Sequence, residues 1–260
     1  MKHFKISILK TGLLLFGMFS LIACQDMDRP ELGDYPLDVG NYTPLNGEKL
    51  YAEFENQFFL NSVSGAPATK VGVPVLGEPK VGEHSLKGAT GSYISYPITG
   101  MFTDELTISF WYKVNASPDR SGLLVIGNPT AFEISGDESR KYGFRLFREG
   151  NATSQTIKLN AGFGTGESWN DGGTLTVNDS WVYITLTIST TESKIYFDGV
   201  LQRTATFSTP INFTDCNSLV IGAGGPTFSY WGHNSDSSLY DEVRLFNRVL
   251  TQEEIVDLMD

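Results

Sequence analysis

Two stretches of the chain alternate apolar and polar side chains with a period of two, and that alternation limits what the chain can fold into. Ile108, Phe110, Tyr112 and Val114 alternate with Thr107, Ser109, Trp111 and Lys113, and Val182, Ile184, Leu186 and Ile188 alternate with Trp181, Tyr183, Thr185 and Thr187. Successive side chains of a strand point to opposite faces of its sheet, so each stretch reads as a strand with one face in a core. Further strands are predicted at 92–96, 121–126, 142–147, 155–163, 193–197, 200–207, 218–222 and 238–246, with Asp198-Gly199 as a tight hairpin turn between two of them. One helix is signalled, from Thr251 to about Leu258, where Thr251 and Glu254 have capping-box spacing. Many strands without alternating helices predict an all-β sandwich or jelly roll rather than a parallel α/β sheet.

The first residues have a different character. Lys2, Lys5 and Lys10 precede an apolar run from Gly12 to Ile22 that is too short to span a bilayer and reads as a signal peptide over residues 1–23. The run ends in Leu21-Ile22-Ala23-Cys24, which resembles a bacterial lipobox and implies lipidation of Cys24. Acyl chains at about 0.8 kcal/mol per buried methylene would hold the protein on a membrane without a spanning helix. Gln25-Asp26-Met27-Asp28 follows, similar to the acidic tether of surface lipoproteins in some Gram-negative lineages, so an outer-membrane location with outward display is expected. Residues 24–46 read as a flexible tether and 47–260 as one domain. Removing residues 1–23 takes away three lysines and no acids, carrying the formal charge from −11 to −14, which disfavours nucleic acid as a partner. With Cys24 lipidated, Cys216 stands alone, no intrachain disulfide forms, and the fold must stand on its core.

Three stretches together resemble the laminin-G-like, concanavalin A-like lectin/glucanase superfamily. They are Leu106-Thr107-Ile108-Ser109-Phe110-Trp111-Tyr112-Lys113; Trp181 through Ile195-Tyr196-Phe197-Asp198-Gly199-Val200-Leu201; and Tyr240-Asp241-Glu242-Val243-Arg244-Leu245-Phe246 with Leu250 and Glu253-Glu254-Ile255. The resemblance implies a jelly-roll sandwich of two curved antiparallel sheets with one short C-terminal helix. It also implies a structural calcium ion on Asp241, with Glu55 or Asn56 adding hard oxygen.

Catalytic constellations are missing from the sequence. The Glu-x-Asp-x-(x)-Glu strand of laminarinase-like relatives does not occur, and the acidic cluster Glu133, Asp137, Glu138 is broken by Ser135-Gly136 and reads as a turn. No Gly-x-Ser-x-Gly elbow accompanies His84 or His233, and Cys216 reads as a core or turn thiol. Sugar binding needs aromatic faces beside polar groups. Trp111 and Tyr183, opposite the core-facing residues of their strands, would place them on a concave face, with packing under a neighbouring loop as the other reading of Trp111. Two predicted rim loops also carry them: 167–171 with Trp169, and 228–234 with Tyr230, Trp231, His233 and Asn234. His233 reads as a rim histidine in water. The expectation is a non-catalytic carbohydrate-binding lipoprotein, accessory to polysaccharide capture or uptake. A protein-binding or adhesion module and a divergent glycoside hydrolase are the alternatives.

Overall fold

The computed structural model describes residues 42–260. The expected signal peptide, Cys24 and the acidic stretch after it lie outside the described residues. In chain order the strands are β1 (Glu48–Ala52), β2 (Thr69–Val71), β3 (Val75–Gly77), β4 (Ser85–Lys87) and β5 (Tyr93–Pro97). Then come β6 (Leu106–Lys113), β7 (Arg120–Ile126), β8 (Phe144–Asn151), β9 (Ser154–Gly162) and β10 (Glu167–Thr176). β11 (Trp181–Ile188), β12 (Glu192–Phe197), β13 (Val200–Thr206), β14 (Ser218–Ile221) and β15 (Leu239–Phe246) complete them. One sheet of eight strands runs β13-β12-β11-β6-β15-β4-β3, with β1 also on β15; the other, of seven, runs β10-β9-β8-β7-β14-β5-β2. Every pairing is antiparallel, giving the two-sheet jelly-roll sandwich that the alternation implies.

The core lies between the sheets. Ile108, Phe110, Ile184 and Leu186 of the eight-stranded sheet face Leu124, Leu146, Leu159 and Ile221 of the other, all with no more than 1% exposure. The Asp198-Gly199 turn is the expected hairpin: both residues have positive φ, 47° and 72°, and the Asp198 carboxylate accepts the Tyr183 N–H at 2.8 Å. The capping box is present too, with Thr251 and Glu254 each satisfying the other's backbone N–H at the start of the C-terminal helix Gln252–Asp257.

That helix corrects the reading of Trp111 and Tyr183 as a binding face. Leu250 and Ile255 pack onto Trp111, Tyr183, Tyr196 and Phe246, making a second small core on the outside of the eight-stranded sheet. Gln252 donates to the Gly199 carbonyl at 2.8 Å, pinning the helix over the hairpin. Trp111 is 9% exposed and Tyr183 fully buried, so neither ring is open to a ligand.

Three further differences have local causes. Residues 129–139 are not a turn but two short helices, α1 (Pro129–Ile134) and α2 (Gly136–Ser139), capped by the Asn128 and Ser135 side chains; the C-terminal helix is therefore α3. Each spans too few residues for a 3.6-residue period to show. Residues 167–171 are not a loop but the start of β10. The buried residues of β10 are Asn170, bonded to the Ser193 carbonyl at 3.1 Å, Gly172, against Ile195, and Leu175, so a single large apolar side chain marks its inner face and no apolar alternation shows. Finally, the end of the expected tether belongs to the folded body. Tyr42 lies against Tyr51 with ring centroids 4.8 Å apart, and its hydroxyl bonds Glu48 and Arg244.

Candidate functional site

Between β14 and β15 the chain leaves the sheet at Gly222 and returns at Ser238, crossing the outer face of the seven-stranded sheet. Phe228 anchors this loop on Val125, Val220 and Phe147. A buried polar network fixes its exit. Asp236 takes Arg148 Nη2 at 2.7 Å and Nε at 3.2 Å on one oxygen, and the hydroxyls of Tyr112 and Tyr240 at 2.7 and 2.5 Å on the other. Arg148 also donates to Gln155 and to the Pro118 carbonyl, both at 2.7 Å. Neither Arg148 nor Asp236 has any exposed side-chain surface.

Where the loop meets β8–β10, it encloses a cleft of about 280 Å³ lined by Arg120, Arg140, Phe147, Glu149, Lys158, Trp169, Phe228, Trp231 and His233. Strand alternation sends Phe147, Glu149, Lys158 and Trp169 outward because Leu146, Ile157 and Leu159 point into the core. Arg140, from the end of α2, lies between the two tryptophans, with its guanidinium 5.0 Å from the Trp231 ring and 5.9 Å from the Trp169 ring. Glu167 and Asp137 hold it there at 3.2 and 2.6 Å. Gly136 lets Trp231 approach α2: a Cβ there would lie 2.6 Å from the ring.

Glu149 is the hub of the charged side. It accepts His233 Nε2 at 2.9 Å and Lys158 Nζ at 3.2 Å, with Arg120 Nη1 at 3.8 Å. Burial pushes the Glu149 carboxyl up, but Lys158 and His233 more than offset that and hold it below the usual carboxylate range. Burial lowers His233 against the pull of Glu149, which favours the uncharged imidazole.

Of the predicted binding residues, the fold therefore brings Trp169, Trp231 and His233 together. His233 is not a rim group in water: it is 3% exposed, stacked on Phe228 at 4.6 Å and edge-on to Phe147. Tyr230 is 51% exposed and lies outside the cleft, its ring on Phe132 and its hydroxyl on the Phe132 carbonyl. Asn234 lines a separate, more open groove with Tyr93 and Ser235. That groove and another beside Lys113 are larger, at about 600 and 630 Å³, but neither contains a tryptophan, and Lys113 is spent on Glu78 and Asp179. Arg120, Arg140, Phe147, Glu149 and Lys158 are the cleft residues that sequence reasoning missed. Cys216 is a buried thiol pushed up to about 12 by burial, in keeping with a core role.

Residues 88–256 match the family Laminin_G_3 of the concanavalin A-like lectin/glucanases superfamily, and the chain belongs to that family. No curated protein matches the chain. Among solved structures it is similar to domain 4 of AbnA, a GH43 extracellular arabinanase from Geobacillus stearothermophilus in complex with arabinotriose. The TM-score is 0.60 at 16% identity, over 82% of this chain and 98% of that one. It is also similar to the binding domain of botulinum neurotoxin DC, in complex with SialylT (TM-score 0.56) and with rat synaptotagmin II (TM-score 0.57). Both are 13% identical and match over 82% of this chain, which spans 50% and 51% of those two chains. At these identities the likeness extends to the fold.

The calcium ion implied by the resemblance does not fit the residues expected to hold it. Asp241 accepts the backbone N–H groups of Lys80 and Val81 at 2.7 and 3.0 Å on one oxygen and that of Glu242 at 3.0 Å on the other. Burial pushes its carboxyl up to about 7 despite these amides. Both Glu55 oxygens face the Glu83 N–H, and Asn56 caps its own turn on the Phe58 N–H. A cation on these oxygens would meet amide hydrogens aimed at it. No cluster of three or more His, Cys, Asp or Glu side chains among the described residues is placed to hold an ion. The melting temperature is therefore expected to be the same in millimolar calcium and in EDTA. A calcium-dependent rise that Asp241→Ala abolishes would contradict this account.

Proposed function

We propose that the domain is a non-catalytic carbohydrate-binding module and that the cleft between β8–β10 and the 222–238 loop is its site. The observation that carries this reading is the pairing of two indoles, one from the sheet and one from the loop, with charged donors and an acceptor between them. Trp169 remains 44% exposed, leaving apolar ring surface for a sugar face, while Arg120, Lys158 and Glu149 can meet hydroxyls. The arabinotriose and SialylT complexes of the similar domains support a glycan ligand. The synaptotagmin complex supports a protein partner as the second reading.

Hydrolysis is disfavoured by the chemistry of the cleft. Glycosidases commonly need two carboxyl groups, one of them protonated to act as acid. Glu149 is the one carboxylate in the lining, and its partners keep it ionised. We further propose that Cys24 carries the lipid anchor of an outer-membrane lipoprotein displayed outward, accessory to polysaccharide capture.

Two experiments test these readings. In affinity electrophoresis of the full chain against a glycan panel, Trp231→Ala and Trp169→Ala are each expected to weaken binding at least tenfold, about 1.4 kcal/mol, with the melting temperature little changed. Retention that is indifferent to both variants would remove the cleft as the site. Cys24→Ala is expected to move the protein from the membrane fraction to the soluble fraction of expressing cells; an unchanged membrane fraction would refute the anchor.

A further inference from the structure

The charges in the cleft run against those of the chain. The protein carries a formal net charge of −11, yet three of the nine side chains lining the cleft are cationic and one is anionic. Burial disfavours a charge on His233, the remaining ionisable group of the lining. A fourth cation lies directly behind the lining. Arg145 is fully buried, its guanidinium 5.9 Å from the Phe228 ring, and it is held by the Ser139 carbonyl and by Asn160 at 3.4 Å. It makes no ion pair among the described residues, so its charge acts on the cleft through protein rather than water.

The neighbouring carboxylates do not consume this charge. Glu149 is shared between Lys158, Arg120 and His233, so one negative group faces two positive ones. Arg120 uses one of its five donors on the Trp231 carbonyl, at 3.0 Å, and its side chain is still 46% exposed. Glu167 and Asp137 answer Arg140, but Asp137 is 80% exposed and largely screened by solvent. Asp171, the cross-strand neighbour of Lys158, is exposed and makes no ion pair among the described residues. At a Debye length of about 8 Å in physiological salt, the negative average of the whole chain reaches a bound ligand weakly. Donors at hydrogen-bond distance are not screened in that way.

We propose that the cleft recognises an acidic glycan, with the ligand carboxylate meeting Arg120 and Lys158 while a sugar face lies against Trp169 and Trp231. This rests on the reading of the cleft as the glycan site and names the chemical class of its ligand. Glu149 then acts as the built-in counter-ion that holds Arg120 and Lys158 in place until the ligand carboxylate arrives. The guanidinium and ammonium donors that Glu149 leaves unused form the contact.

The test is affinity electrophoresis of the full chain in gels containing polygalacturonate, alginate or hyaluronate, each run beside its carboxyl-reduced counterpart and beside a panel of neutral glycans. The expected result is retardation by at least one carboxylated polymer and a tenfold or greater loss on its carboxyl reduction. A similar loss is expected in Lys158→Gln and in Arg120→Gln, with melting temperatures unchanged, and retardation should weaken as salt is raised. Lys158→Gln keeps the test independent of Trp231, whose carbonyl Arg120 holds. Binding of a neutral glycan that Trp231→Ala abolishes but Lys158→Gln, Arg120→Gln and salt leave untouched would overturn the acidic ligand and keep the glycan site. Binding of an acidic polymer that survives Trp231→Ala as well as both charge variants would overturn both, as would no retardation by any glycan.

Discussion

Arg148 and Asp236 form an ion pair wholly removed from water, and the arrangement of the cleft follows from it. Two charges without solvent are costly unless nearly every donor and acceptor is met; removing one partner of such a pair costs about 3–5 kcal/mol. Here Asp236 receives Arg148, Tyr112, Tyr240 and Ser238, and Arg148 spends its other donors on Gln155 and the Pro118 carbonyl. The pair thus ties β8 and β9 of one sheet to β6 and β15 of the other at the point where the 222–238 loop rejoins β15. With that end held and Phe228 seated on Val125, Val220 and Phe147, the loop between them has little freedom in where it puts Trp231 and His233.

The two outer faces of the sandwich have been put to different uses by similar means. On the eight-stranded sheet, α3 closes over Trp111 and Tyr183 and turns an aromatic strand face into core. On the seven-stranded sheet, the 222–238 loop and α2 cover only part of the face, and the remainder is the cleft. The difference lies in the covering residues. Leu250 and Ile255 are apolar and complete a dry contact, whereas Arg140 is charged, needs Glu167 and Asp137, and keeps its neighbourhood partly wet. The cation site suggested by the family is closed in another way, by the amides of Lys80 and Val81 on Asp241.

The sandwich was legible because its core strands carry strict alternation: β6 and β11 bury Ile108, Phe110, Ile184 and Leu186 on one face. The hairpin at Asp198-Gly199 and the cap at Thr251 were legible because each depends on local chemistry. β10 was not, since two of its three buried positions are Asn170 and Gly172, and Leu175 alone shows no alternation; its pairing with β9 is what sequence pattern could not show. Trp231 and His233 were visible as an aromatic and polar run, but the burial of His233 depends on Phe147 and Phe228, far apart in the chain. Arg120, Glu149 and Lys158 carry no local signal. Each occupies an outward position on its own strand, and only the order β7-β8-β9 sets them side by side.

The four tryptophans of the chain meet two different fates. Trp169 and Trp231 face the cleft, while Trp111 and Trp181 pack around α3. The most direct test follows the four indole N–H signals by NMR while a glycan identified by electrophoresis is titrated into the protein. With the ligand in the cleft, the Trp169 and Trp231 signals are expected to shift together along one saturating curve while Trp111 and Trp181 stay still. Movement of Trp111 or Trp181 with a silent Trp169 and Trp231 would contradict this and place the ligand on the opposite sheet.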